Sequence, residues 1–113
     1  MSARISEQFH LTSLEGKLEV ESKTSDSFNT SRYNSVTVVI DFTNVDTSIS
    51  GSIAIQHSPD GNTWVTAESG TFLITEDGSR QATYSPIMEF TRIVLSNTTN
   101  SATVNAAWVE AKS

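Results

Sequence analysis

Gly51-Ser-Ile-Ala-Ile-Gln-His-Ser-Pro-Asp-Gly-Asn-Thr-Trp64 reads as a strand, a tight turn and the start of a second strand. Ile53 and Ile55 alternate with Ala54 and Gln56, the period of a half-buried strand. Ser58-Pro-Asp-Gly61 supplies the turn, since Pro59 presets φ near −65° and Gly61 accepts φ > 0. Trp64 follows, where an indole can fold back over the hairpin. Ser58, Asp60, Gly61 and Trp64 are therefore the structural hairpin residues.

Working outward, Ser35-Val-Thr-Val-Val-Ile-Asp-Phe-Thr43 is the strongest strand. Val36, Val38, Ile40 and Phe42 make one apolar face, and Val39 opposite them points to a central strand. Lys17 to Lys23 alternates as a strand with Leu18 and Val20 inside. Thr24 to Asn34 is a polar loop anchored by Phe28 and Tyr33. Thr71 to Thr75 is a short apolar strand, and Glu76-Asp-Gly-Ser79 carries the Asp-Gly signature of a second hairpin leading to Arg80–Tyr84. Glu89 to Ser96 is a strand with Ile93 and Leu95 on one face. Ala102 to Ala111 closes the chain, with Val104, Ala106 and Trp108 sharing a face. About seven or eight strands at regular spacing, without a helical period, predict an all-β antiparallel sandwich or jelly roll. The domain spans residues 17–113. Residues 1–16 precede it either as an arm that orders on a neighbouring subunit or as an irregular edge segment, with Ile5, Phe9 and Leu14 as its apolar contacts. In the arm reading, deleting 1–16 weakens attachment and leaves the domain folded.

Composition narrows the function. The chain has 113 residues, 18 serines, 15 threonines, no cysteine and a formal net charge of −6. Hydroxyl-rich sequence suits short strands and polar turns. No Lys/Arg cluster matches a row of phosphates, which disfavours nucleic acid and anionic membrane as partners. No stretch approaches the ~20 apolar residues of a membrane-spanning helix, and the N-terminus lacks the apolar core of a secretory signal. Without cysteine there is no disulfide and no thiolate catalysis.

Catalytic constellations are missing. His57 ends a strand, and its neighbour Ser58 points to the opposite face, so the two make no dyad. Asp41, Asp60, Glu76, Asp77, Glu89 and Glu110 are scattered, and no pair is nominated for hydrolysis. Asp60 and Asn62 offer oxygens to a Ca²⁺ ion, yet a plain turn accounts for them better. Asn29-Thr-Ser31 and Asn97-Thr-Thr99 match the glycosylation pattern by chance in so Ser/Thr-rich a chain. The reading is of a non-enzyme without cofactor or metal, whose surface binds something.

Asp26 to Val109 resembles the small β-sandwich virion proteins of tailed and related bacteriophages. The resemblance rests on Ser25–Ile40 as the loop leading into the first core strand, on the S-x-D-G-x-x-W hairpin ending at Trp64, and on Phe90-Thr-Arg-Ile-Val-Leu95 with Ala102–Val109 as a final hairpin. It implies a structural virion protein, a capsid decoration or minor capsid protein on the major capsid protein lattice, with a homo-oligomer as one form it can take. The same hairpin followed by an aromatic-x-Arg-Ile strand is similar to discoidin-type binding domains, which are longer. The alternative is a carbohydrate-binding module in host attachment. Sugar stacking needs exposed aromatics, and the strand patterns put both Trp64 and Trp108 in the core.

Overall fold

The computed structural model describes residues 6–86 and 88–113. In chain order its strands are β1 (Ser6–His10), β2 (Gly16–Leu18), β3 (Ser22–Thr24), β4 (Phe28–Asn29), β5 (Ser35–Thr43), β6 (Ile49–Ser58), β7 (Val65–Ile74), β8 (Gly78–Tyr84), β9 (Phe90–Asn97) and β10 (Ala102–Lys112), with a single 3₁₀ turn at Thr12–Leu14 among the described residues. Every pairing among the described residues is antiparallel. One sheet runs β1-β10-β5-β8, with β2 also on β10; the other runs β3-β9-β6-β7, with β4 also on β9.

These pairings have a simple origin. β1 lies against residues 108–112 and β2 against 102–104, end to end along one edge of β10. β3 and β4 share an edge of β9 in the same way. β5 pairs β8, and β6 pairs β7. The first half of the chain thus pairs the second half as one long ribbon, whose tip is the β6–β7 connection. Rolling the ribbon adds β10–β5 to one sheet and β9–β6 to the other, which is jelly-roll connectivity. The expected sandwich is present, and its eight ribbon strands become ten because two of them break.

Side-chain alternation fills the space between the sheets. Val36, Val38, Ile40 and Phe42 on β5 are fully buried, facing Ile49, Ile53 and Ile55 on β6 and Ile93 and Leu95 on β9. Phe42 and Phe72 meet across the sheets with ring centroids 5.5 Å apart. A core residue of this kind contributes about 1.5–3 kcal/mol by leaving water.

The ribbon corrects several local expectations. The segment 17–23 is two strands: Leu18 is buried in one sheet, and the chain crosses to the other at Glu19–Glu21, leaving Val20 62% exposed. The loop 24–34 contains the short β4, although Phe28 and Tyr33 are buried anchors as read. Residues 65–75 are mostly one ten-residue strand. The Asp77-Gly78 turn makes no hairpin, because β7 and β8 belong to different sheets. Its Asp77 Oδ1 instead accepts the Val45 N–H at 3.2 Å. For the same reason β9 and β10 form no final hairpin. Asn97 pins that crossing, donating from Nδ2 to the carbonyls of Glu19 and Asn100.

Residues 6–16 lie in the sandwich. β1 pairs five residues of β10, Leu11 and Leu14 are buried in the core, and Phe9 stacks on Phe28 at 4.9 Å. Tyr33 donates its hydroxyl to Glu7 Oε1, tying β1 to the following loop. That short hydrogen bond to the carboxylate, ahead of burial, raises the Tyr33 pKa above the ordinary tyrosine value.

Candidate binding face

The outer face of the β1-β10-β5-β8 sheet holds a large exposed aromatic, and a β-bulge puts it there. β10 pairs β5 in register through Val104↔Phe42, then shifts so that Ala106 faces Asp41. Asn105 is the extra residue, and it holds the bulge by donating Nδ2–H to Asp41 Oδ2 at 3.1 Å. Before the bulge Ala102 and Val104 point inward; after it Ala107, Val109 and Ala111 do. Trp108 is thereby turned outward and is 40% exposed. The sequence reading put Trp108 in the core on a face with Val104, and the one-residue shift overturns this. Its parity with the charged Glu110 and Lys112 was the available signal.

Around Trp108 the register forms rows across the sheet. Trp108 lies between His10 on β1 and Val39 on β5, and Val39 faces Gln81 on β8. The next row is Gln8, Glu110, Thr37 and Thr83, with the two threonine hydroxyls 3.1 Å apart. The His10 ring stacks on the indole at 4.2 Å and 7° between planes. His10 is itself fixed by a 2.6 Å contact from Nε2 to Glu15 Oε2. The same carboxylate oxygen accepts the Ala107 N–H at 3.1 Å. The bond to His10, partly offset by burial, holds the Glu15 carboxyl below its ordinary pKa. Gln8, Val39, Trp108, Val109 and Glu110 line a shallow concavity of about 270 Å³. Sequence reasoning named none of these as site residues.

The hairpin residues are occupied with structure. Ser58 Oγ accepts the N–H groups of Asp60 and Gly61 at 3.2 and 2.9 Å and donates to Asp60 Oδ1 at 3.0 Å. Asp60 Oδ1 accepts the N–H groups of Asn62 and Thr63 at 2.8 and 2.9 Å. The Thr63 bond first, then those from Asn62 and Ser58, hold the Asp60 carboxyl below its ordinary value. Gly61 takes φ +80°. Trp64 is half-buried, not core, and lies under the Arg92 guanidinium at 4.3 Å. Arg92 is steadied by its Nε–H bond to Gln56 Oε1 at 2.7 Å. His57 is buried, and its Nδ1 shares a short hydrogen bond with the Tyr84 hydroxyl of the opposite sheet.

Of the three expected interaction residues, Leu14 is fully buried and Phe9 half-buried in the chain's own core, while Ile5 lies outside the described residues. Asp41 binds Ser79 and Asn105, and Glu110 pairs Lys112 at 2.8 Å. Among the described residues no three His, Cys, Asp or Glu side chains gather as metal ligands.

No family model matches the chain, and no curated protein sequence does either. Solved structures do match in fold. The PBSX exported protein XepA is similar over 96% of this chain with a TM-score of 0.64 at 12% identity; the chain spans 36% of that protein's length. The CBM36-1 domain of a multidomain xylanase from the hindgut metagenome of Trinervitermes trinervoides is similar over 95% of this chain and 96% of its own, with a TM-score of 0.55 at 11% identity. A subunit of the disulfide-linked pili that form Bacillus endospore appendages is similar over 96% of this chain and 86% of its own, with a TM-score of 0.53 at 11% identity. Identities this low carry the β-sandwich fold alone. The three neighbours share the β-sandwich fold with this chain.

Proposed function

We propose that this chain is a non-catalytic structural module of a bacteriophage virion, a decoration or minor capsid protein that attaches to the major capsid protein lattice. The observation that carries the reading is the fold shared along 96% of the chain with the exported protein XepA. The Bacillus endospore appendages, which form disulfide-linked pili, support the same kind of role, a shared fold used in an assembled structure. The polar side chains that sequence reading weighed for chemistry support it further: Ser58, Asp60 and His57 are engaged within the fold. The test is to mix the purified chain with capsids lacking it and image the particles. Saturable density at lattice symmetry positions is the expected result. A chain that leaves capsids bare at saturating concentration ends this reading.

A second reading is favoured by a specific observation, the outward Trp108. It makes the chain a carbohydrate-binding module that works in host attachment, also as part of a particle.

A further inference from the structure

We propose that the outer face of the β1-β10-β5-β8 sheet is a platform for a neutral glycan, with Trp108 as the stacking residue. The proposal deepens the carbohydrate-binding reading and rests on it.

The first argument is pre-organisation. An exposed indole on a strand normally samples several rotamers, and a ligand must freeze them. Here the ring is already held parallel to His10, and His10 is clamped by Glu15, which also bonds the β10 backbone at Ala107. His10 covers one indole face, and Trp108, 40% exposed, borders the concavity together with Val39 and Gln8. A flat apolar ring held in place at the rim of a concavity suits the C–H face of a pyranose.

The second argument is what surrounds the ring. The concavity of about 270 Å³ is small, near the lower end of small-ligand sites. Gln8 and Glu110 line it with amide and carboxylate groups, and Thr37 and Thr83 continue their row with hydroxyls. An apolar centre with convergent hydrogen-bonding groups recognises a polyol. Trp108 and Val39 are the exposed large hydrophobics of this face.

The third argument is charge. The chain carries a net −6, and at the rim of the concavity Glu110 is already matched by Lys112 at 2.8 Å. An anionic polysaccharide would be repelled, and a neutral one would not.

The test uses the full chain in native affinity electrophoresis through gels containing xylan, β-1,3-glucan, mannan, galactan or starch, with alginate as the anionic comparison. Retardation by at least one neutral polymer and not by alginate is expected. Trp108→Ala should raise the apparent Kd about tenfold or more, Gln8→Ala a few-fold, and Trp64→Ala should leave it unchanged. In Trp64→Phe, where Trp108 is the remaining tryptophan, the same polymer should shift the emission spectrum. This measurement decides the matter if Trp108→Ala does not fold. Retardation that survives Trp108→Ala in a folded variant, or an unshifted Trp64→Phe spectrum, overturns this face while keeping the glycan reading. No retardation by any neutral polymer overturns both. Loss of capsid binding in Trp108→Ala, with no polymer bound, assigns the face to a protein partner and also overturns the proposal.

Discussion

A Cβ placed on Gly51 would lie 1.8 Å from the carbonyl oxygen of Ser96 on the neighbouring strand. β6 and β9 approach so closely there that only glycine fits between them. Both contacting atoms belong to backbone held in a ladder, so neither can turn aside. Gly51→Ala should therefore cost about 3 kcal/mol or more, the upper range for overpacking. Urea unfolding measures it, and a variant within about 0.5 kcal/mol of the parent would refute the close approach.

The turn at the ribbon tip depends on one hydroxyl. Ser58 is fully buried, and its Oγ accepts two N–H groups that point into the turn. Ser58→Ala leaves those donors unmet, which costs about 1–3 kcal/mol. Ser58→Thr keeps the acceptor and should recover part of the loss.

Acid should weaken the fold through two named carboxylates. Asp60 and Glu15 both have folded-state pKa values below their ordinary ones, Asp60 through the N–H groups of Thr63 and Asn62, and Glu15 through His10. A depressed carboxylate contributes stability that is complete above its unfolded pKa and is lost as pH falls through the folded value. Melting temperature should thus be level above about pH 5 and fall below about pH 4. Asp60→Asn with Glu15→Gln should flatten that fall, and an unchanged slope would contradict it.

Leu14 and Trp108 should behave as opposites. Leu14→Ala empties a fully buried site and should cost about 2–5 kcal/mol, whereas Trp108→Ala on the surface should stay near 1 kcal/mol or less. Deleting residues 6–16 removes an edge strand together with Leu11 and Leu14, so the remainder should lose its cooperative melt. A deletion that melts like the parent would show that β1 contributes little.

His57 and Tyr84 join the two sheets by a short hydrogen bond. Tyr84→Phe leaves the buried ring nitrogen of His57 without that partner, a cost of about 1–3 kcal/mol. Equal stability of the variant and parent by urea unfolding would show that the bond adds nothing net.

Much of this architecture was legible in the residues themselves. The parity of Val36, Val38, Ile40 and Phe42 gave the inward face of β5. Ser58-Pro-Asp-Gly61 marked the tip of the ribbon, since turn chemistry is local and acts within a few residues. Asp77-Gly78 carried an equally good local signal and yet turns a corner between sheets. A turn motif specifies the reversal of the chain, not the sheet that receives the next strand. The binding face was hidden for a related reason. A strict period of two put Trp108 with Val104, and the bulge at Asn105 reversed that phase.

The sequence by itself determined an all-β sandwich, the facing of its longest strand and the hairpin around which the chain pairs, because alternation and turn propensity are properties of neighbouring residues. Tertiary structure alone decided the jelly-roll order, the burial of Phe9 and Leu14, and the outward indole clamped by His10. Those depend on which distant strand supplies the partner, as Asp41 does for Asn105 and β10 does for β1. Such pairings are fixed by packing one sheet on the other, which no local pattern records.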